Sequence, residues 1–105
     1  MKKFFFILMF SSLFANEILD ADAIIITQGS KVEVYTALFW APCNEAKKLL
    51  RSRGIEFESK MVTFSRKKAN EMKERSGGKT SVPQIFIDDQ YFGDLSELIT
   101  YFKEK

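Results

Sequence analysis

The chain has 105 residues, with one cysteine, Cys43, and no histidine. These two facts narrow its chemistry before any element is placed. A thiolate can attack a disulfide or an electrophilic carbon and can bind a soft metal. A single thiol cannot close an internal disulfide, form a dithiol redox pair or build a four-cysteine metal cluster. Without histidine the chain lacks the side chain that ordinarily titrates near neutral pH, so His-containing zinc sites and Ser-His-Asp triads are excluded. Thiol chemistry in this chain therefore runs through Cys43. Two readings of that residue stay open at this level: a reactive thiol, or a small apolar residue packed quietly in the core.

The surroundings of Cys43 are set by a compartment and by a fold. Lys2 and Lys3 are followed by twelve uncharged residues, 4–15, five of them Phe. A charged start, a short apolar run and a small residue at Ala15 make the pattern of a secretory signal peptide over residues 1–15. The run falls short of the ~20 apolar residues that span a bilayer, and the alternatives are an uncleaved anchor or a buried helix. Cleavage after Ala15 would leave 90 residues with 14 basic and 14 acidic groups. Such a neutral domain is a poor partner for nucleic acid, would keep no stable membrane span, and would be exported, to the periplasm or outside the cell in a bacterium. In an oxidising compartment a lone thiol must be buried, capped, paired between chains or used.

The elements that would position Cys43 follow from local pattern. Residues 16–31 form a lead-in, acidic at Glu17, Asp20 and Asp22, with an apolar cluster at Ile24-Ile25-Ile26 suited to a short extra strand. Residues 32–105 form the domain. Val32-Glu33-Val34-Tyr35-Thr36 is β-branched and aromatic and predicts a strand. Pro42 suits the first turn of a helix and Gly54 its end; between them Cys43, Ala46, Leu49 and Leu50 share an apolar face, which predicts that Cys43 is buried. Ile55, Phe57, Ser59 and Met61 alternate with Glu56, Glu58 and Lys60, as in a strand with one charged face at a sheet edge. Ser65 can cap a second helix running to Arg75, with Ala69 and Met72 inward and Gly77-Gly78 ending it. The basic triplet Arg66-Lys67-Lys68 in its first turn opposes the helix dipole and reads as a solvated face or as a contact for an anion or partner. Gln84-Ile85-Phe86-Ile87, Asp88-Asp89 and Gln90-Tyr91-Phe92 predict a β-hairpin. Asp94, with Glu97 three residues on, predicts a capped final helix whose apolar stripe is Leu95, Leu98, Ile99 and Phe102. The order β-α-β-α-β-β-α makes an α/β domain, a four-stranded mixed sheet flanked by three helices.

From Val32 to Lys105 these segments resemble the glutaredoxin family of the thioredoxin-like superfamily. The resemblance rests on Val32-Glu33-Val34-Tyr35-Thr36, on Cys43 to Leu50 with Ala46-Lys47 and Leu49-Leu50, on Glu74-Arg75-Ser76-Gly77-Gly78 and above all on Ser81-Val82-Pro83-Gln84-Ile85-Phe86-Ile87. It implies glutathione-linked thiol–disulfide exchange, with glutathione as a co-substrate rather than a bound cofactor, and a glutathione or protein-thiol partner. It also implies a cis Val82-Pro83 bond, a Val82 backbone that pairs with the tripeptide, and Leu95 and Ser96 N–H groups beneath the glutamyl carboxylate.

The departures from the family fall on the chemistry. Where glutaredoxins read Cys-Pro-Tyr-Cys, this chain reads Trp40-Ala41-Pro42-Cys43. By the resemblance, Trp40 stands in the attacking cysteine's place and Cys43 in that of the resolving one. The same loss removes the protein ligand of the family's shared iron–sulfur cluster, and no metal site is expected. Gly93-Asp94 replaces the family's Gly-Gly, so Asp94 would put a carboxylate where the ligand's belongs. Two functions therefore remain in view. One is an oxidoreductase with impaired or absent activity, Cys43 being its only thiol. The other is a non-catalytic binding module in which Trp40 and the groove beside Val82-Pro83 hold a peptide or protein partner.

Overall fold

Strand β1 (Val32–Thr36) is buried along its whole length, which fits its unbroken run of β-branched and aromatic side chains, Glu33 excepted. In this computed structural model, which describes residues 24–104, β1 is followed by α1 (Ala41–Ser52), β2 (Glu58–Met61), α2 (Arg66–Arg75), β3 (Gln84–Ile87), β4 (Gln90–Gly93) and α3 (Leu95–Lys103). The expected signal segment and residues 16–23 lie outside the described residues. The sheet order is β2-β1-β3-β4, with β1 parallel to β2 and antiparallel to β3. This is the mixed four-stranded sheet that the element order predicts, with β2 at an edge.

Alternation along β1 and β3 divides the core between two faces. Val32, Val34, Ile85 and Ile87 pack with Ala46 and Leu50 of α1 and Leu98 and Phe102 of α3. Tyr35 and Phe86 point the other way, onto Met72 of α2. Ile26 also joins the first core, and its N–H donates to the Tyr101 hydroxyl at 3.0 Å. Residues 24–26 nevertheless form no strand. Strand β2 is shorter than the alternation predicts: the Ile55 N–H donates to the Leu50 carbonyl at the end of α1, and the ladder with β1 begins only at Glu58, opposite Glu33. Asp88 and Asp89 turn the hairpin with φ of 51° and 69°, the doubly positive geometry of a tight two-residue connection.

Glu33 projects from the middle of β1 toward α2 and is only 3% exposed. A buried carboxylate must be paired, and Arg75 grips it with both terminal nitrogens, at 2.9 and 3.3 Å, while Lys60 Nζ reaches it at 2.8 Å. Arg75 also donates to the Tyr35 hydroxyl at 2.8 Å, Tyr35 donates to Glu71, and the guanidinium lies 4.1 Å over the Phe86 ring. The network ties α2 and β2 to the central strand. Burial by itself would raise the Glu33 pKa, but the hydrogen bonds and charges of Arg75 and Lys60 prevail and hold it at about 2. Because the folded value lies below the ordinary one of ~4.3, the stabilisation is complete above that pH and is lost as pH falls toward 2. The contribution is on the order of 3 kcal/mol. Urea unfolding between pH 5 and pH 2 should therefore show an acid-dependent loss of stability that Glu33→Gln largely removes; parallel curves for the two proteins would refute the assignment.

Candidate functional site

The three segments that carry the site meet at one end of the sheet. The first is the loop from β1 into α1. Trp40 is the N-cap residue of α1, with extended backbone and no side-chain cap; its carbonyl accepts from the Cys43 and Asn44 N–H groups at 3.1 and 3.2 Å. Pro42 lies in the first turn, where an absent N–H costs no helical hydrogen bond. Cys43 is 0% exposed, as its place on the apolar face of α1 predicts. The chain's one thiol therefore sits beneath the helix start rather than at its tip.

The second segment is the turn into β3. The Val82-Pro83 bond is cis, as the family resemblance implies, and Pro83 is buried. The Trp40 indole reaches across to it: Nε1–H donates to the Val82 carbonyl at 3.1 Å. The indole is still half exposed. The sequence placed Trp40 beside Val82-Pro83 as part of a groove for a partner. The structure tethers the indole by its polar edge to the backbone that the resemblance expects to receive glutathione.

The third segment is the start of α3. Asp94 caps this helix as predicted, its Oδ1 accepting from the Ser96 N–H at 3.1 Å, the Glu97 N–H at 3.3 Å and the Ser96 hydroxyl at 2.8 Å. The Ser96 hydroxyl bond, with the backbone N–H groups, holds the Asp94 carboxyl below its ordinary pKa. Of the two residues expected to offer N–H groups to an incoming carboxylate, Ser96 is thus already engaged by Asp94, and Leu95 is half-buried against the core. Gly93, at φ 144°, turns the chain from β4 into the helix, where a β-carbon would collide with the Glu97 side chain.

Two neighbours were missed by reading the sequence. Phe39 and Phe64 are each 94% exposed, at φ of 56° and 67°, a left-handed backbone rare for bulky residues. Phe64 directly precedes the Ser65 cap, the position from which an apolar residue commonly staples onto the first turns of a helix. It is turned outward instead. Their loops are joined by the Leu38 N–H, which donates to Thr63 Oγ1 at 3.0 Å. The available signal was the placement of aromatic residues immediately before both helix starts.

Chemically, the site offers a half-exposed indole, a buried thiol, a cis-proline edge whose carbonyl carries a donor, and a helix start with its own carboxylate. Among the described residues no cluster of His, Cys, Asp or Glu could hold a metal ion, and no helix is long and apolar enough to cross a membrane.

A mixed four-stranded sheet with this helix order and a cis-proline beside the first helix defines a thioredoxin-like protein. Residues 32–92 match the family model for glutaredoxin. The chain is 42% identical over 69 residues to glutaredoxin 3 of Escherichia coli strain K12, covering 66% of this chain and 82% of that protein. The solution structure of a glutaredoxin from Brucella melitensis superposes with a TM-score of 0.61 at 35% identity, over 70% of this chain and 79% of that one. Glutaredoxin 1 from Francisella tularensis, at 24% identity, shares the fold with a TM-score of 0.62 over 72% and 95% of the two chains. The chain belongs to the glutaredoxin family.

The Asp94 cap is testable apart from any activity. Asp94→Ala should lower stability by ~1 kcal/mol, with Asp94→Asn keeping most of it. Because the carboxyl pKa is depressed, the Asp-specific part is present above ~3.9 and lost in acid. Equal stability of Asp94→Ala and the parent at neutral pH would contradict the cap.

Proposed function

We propose that this is an exported glutaredoxin-fold protein, periplasmic or extracellular, whose glutathione-linked thiol–disulfide exchange is impaired or absent. The observation that carries this reading is the Trp40 indole bonded to the Val82 carbonyl, at the position the family resemblance assigns to the attacking cysteine. Exchange requires a thiolate to approach a disulfide in line with the S–S bond, form a new bond to one sulfur and expel the other as thiolate. Trp40 has no thiol, and Cys43 is buried. Any exchange through Cys43 would first require the start of α1 to open.

The glutathione seat is impaired at both ends. In the family the tripeptide backbone pairs with the residue before the cis-proline; here an intramolecular donor already engages the Val82 carbonyl. At the other end, Asp94 takes the Ser96 and Glu97 N–H groups and adds a negative charge where an anionic ligand would arrive. The family's iron–sulfur cluster would also lack its cysteine ligand here, because Trp40 stands in that cysteine's place.

The second reading is a non-catalytic module that holds an extended peptide or protein partner against Trp40 and Val82-Pro83. The half exposure of Trp40 favours it, since a partly exposed Trp is a common interface anchor. It requires the indole to swing away from Val82, and Trp40→Ala should then weaken partner capture without loss of fold.

Glutathione-dependent reduction of a small mixed disulfide separates these readings. The parent protein should show little or no turnover, and Trp40→Cys should gain it. Robust turnover by the parent would overturn the proposal. A folded but inactive Trp40→Cys variant would show that more than the nucleophile has been lost and would favour the binding module.

A further inference from the structure

Three segments at one end of the sheet are tied together by side chains. Residues 37–40 are joined to residues 62–65 by the Leu38–Thr63 bond and to Val82 by the Trp40 indole. The tips of the first two segments carry Leu38, Phe39, Trp40 and Phe64, all among the exposed large apolar residues. The flanks carry Arg66, Lys67, Lys68 and Lys79, none of which has an ion-pair partner among the described residues. Residues 37–40, 62–68 and 79–82 contain no Asp or Glu, although the whole chain has 14 acidic residues. These three segments are therefore apolar at their tips and cationic on their flanks, and the acidic groups of this end, Asp94 and Glu97, belong to the start of α3.

We propose that this end docks on an anionic lipid surface, with Phe39, Phe64 and the Trp40 edge entering the headgroup region and Arg66, Lys67, Lys68 and Lys79 contacting lipid phosphates. The proposal goes beyond both functional readings and does not depend on whether Cys43 exchanges disulfides. At 94% exposure the two phenyl rings make almost no contact with their own fold, and their left-handed backbones hold them out on convex tips. A protein partner would need a matching pocket for each ring. A bilayer interface accepts protruding apolar side chains without one, and each nearby Lys or Arg adds to the attraction toward anionic lipid. Trp40 suits the same place, because Val82 satisfies its N–H and its half-exposed ring is left to meet the boundary between water and lipid.

The chain's single Trp makes the test specific, because Trp40 emission reports on this loop even if residues 4–15 also meet lipid. The full chain is mixed with phosphatidylcholine vesicles, with and without a one-third share of phosphatidylglycerol. With the anionic vesicles Trp40 emission should shift to the blue and be quenched by lipids brominated on their acyl chains, and high salt should weaken the effect. Arg66→Gln/Lys67→Gln/Lys68→Gln should reduce apparent affinity on the order of tenfold or more. Phe39→Gly/Phe64→Gly should abolish quenching while keeping the fold, because glycine accepts both positive φ values; an unchanged melting temperature confirms that control. Co-sedimentation of the protein with Trp40 emission unmoved would overturn the proposal, because the N-terminal segment alone would then be bound. Equal response to neutral and anionic vesicles would overturn it as well. So would an emission shift produced by an acidic extended peptide and not by vesicles, which would make the face a protein interface.

Discussion

One hydrogen bond decides how this end of the fold can be used. The Trp40 indole N–H lies 3.1 Å from the Val82 carbonyl, and it joins the start of the first helix to the cis-proline turn, two elements that approach only because β1 and β3 are paired. A partly exposed hydrogen bond contributes only about 1 kcal/mol. Its importance is positional. An incoming peptide backbone that sought the same carbonyl would have to compete with a donor already in place. The proposed loss of glutathione chemistry thus combines a missing nucleophile with an occupied recognition edge, and Asp94 adds a second occupant at the start of α3.

The scaffold around this site remains well built. Glu33, Arg75, Lys60, Tyr35 and Glu71 form one connected polar network on the α2 face. The α1 and α3 helices share an apolar core with the opposite face of the sheet. Both cores serve to hold the ends of β1 and β3 in register. Glu33, the buried carboxylate of the central strand, is paired on both oxygens. The family fold is retained in full while its thiol chemistry is, on our reading, diminished.

The architecture was largely legible from local chemistry. The burial of Cys43 followed from its spacing to Ala46 and Leu50, and the Ser65 and Asp94 caps from side chains able to accept backbone N–H groups. Strand β2 was read too long, because alternation in residues 55–57 says nothing of a backbone N–H drawn to the end of α1. The Glu33–Arg75 pair was not legible, since its partners lie 42 positions apart. The same limit hid the Trp40–Val82 bond, also spanning 42 positions. Phe39 and Phe64 were hidden for another reason: hydrophobicity predicts burial, whereas here positive φ values turn both rings outward.

The site therefore combines an inward thiol, an indole bonded to the backbone of the cis-proline turn, and two aromatic tips flanked by cations. The single indole N–H resonance of the protein reports directly on the bond to Val82. Its solvent exchange, followed by NMR with and without a large excess of glutathione, is the most direct measurement. The account predicts slowed exchange in the free protein and no change on adding glutathione. Rapid exchange in the free protein, or a shift of that resonance as glutathione displaces the indole from Val82, would contradict it.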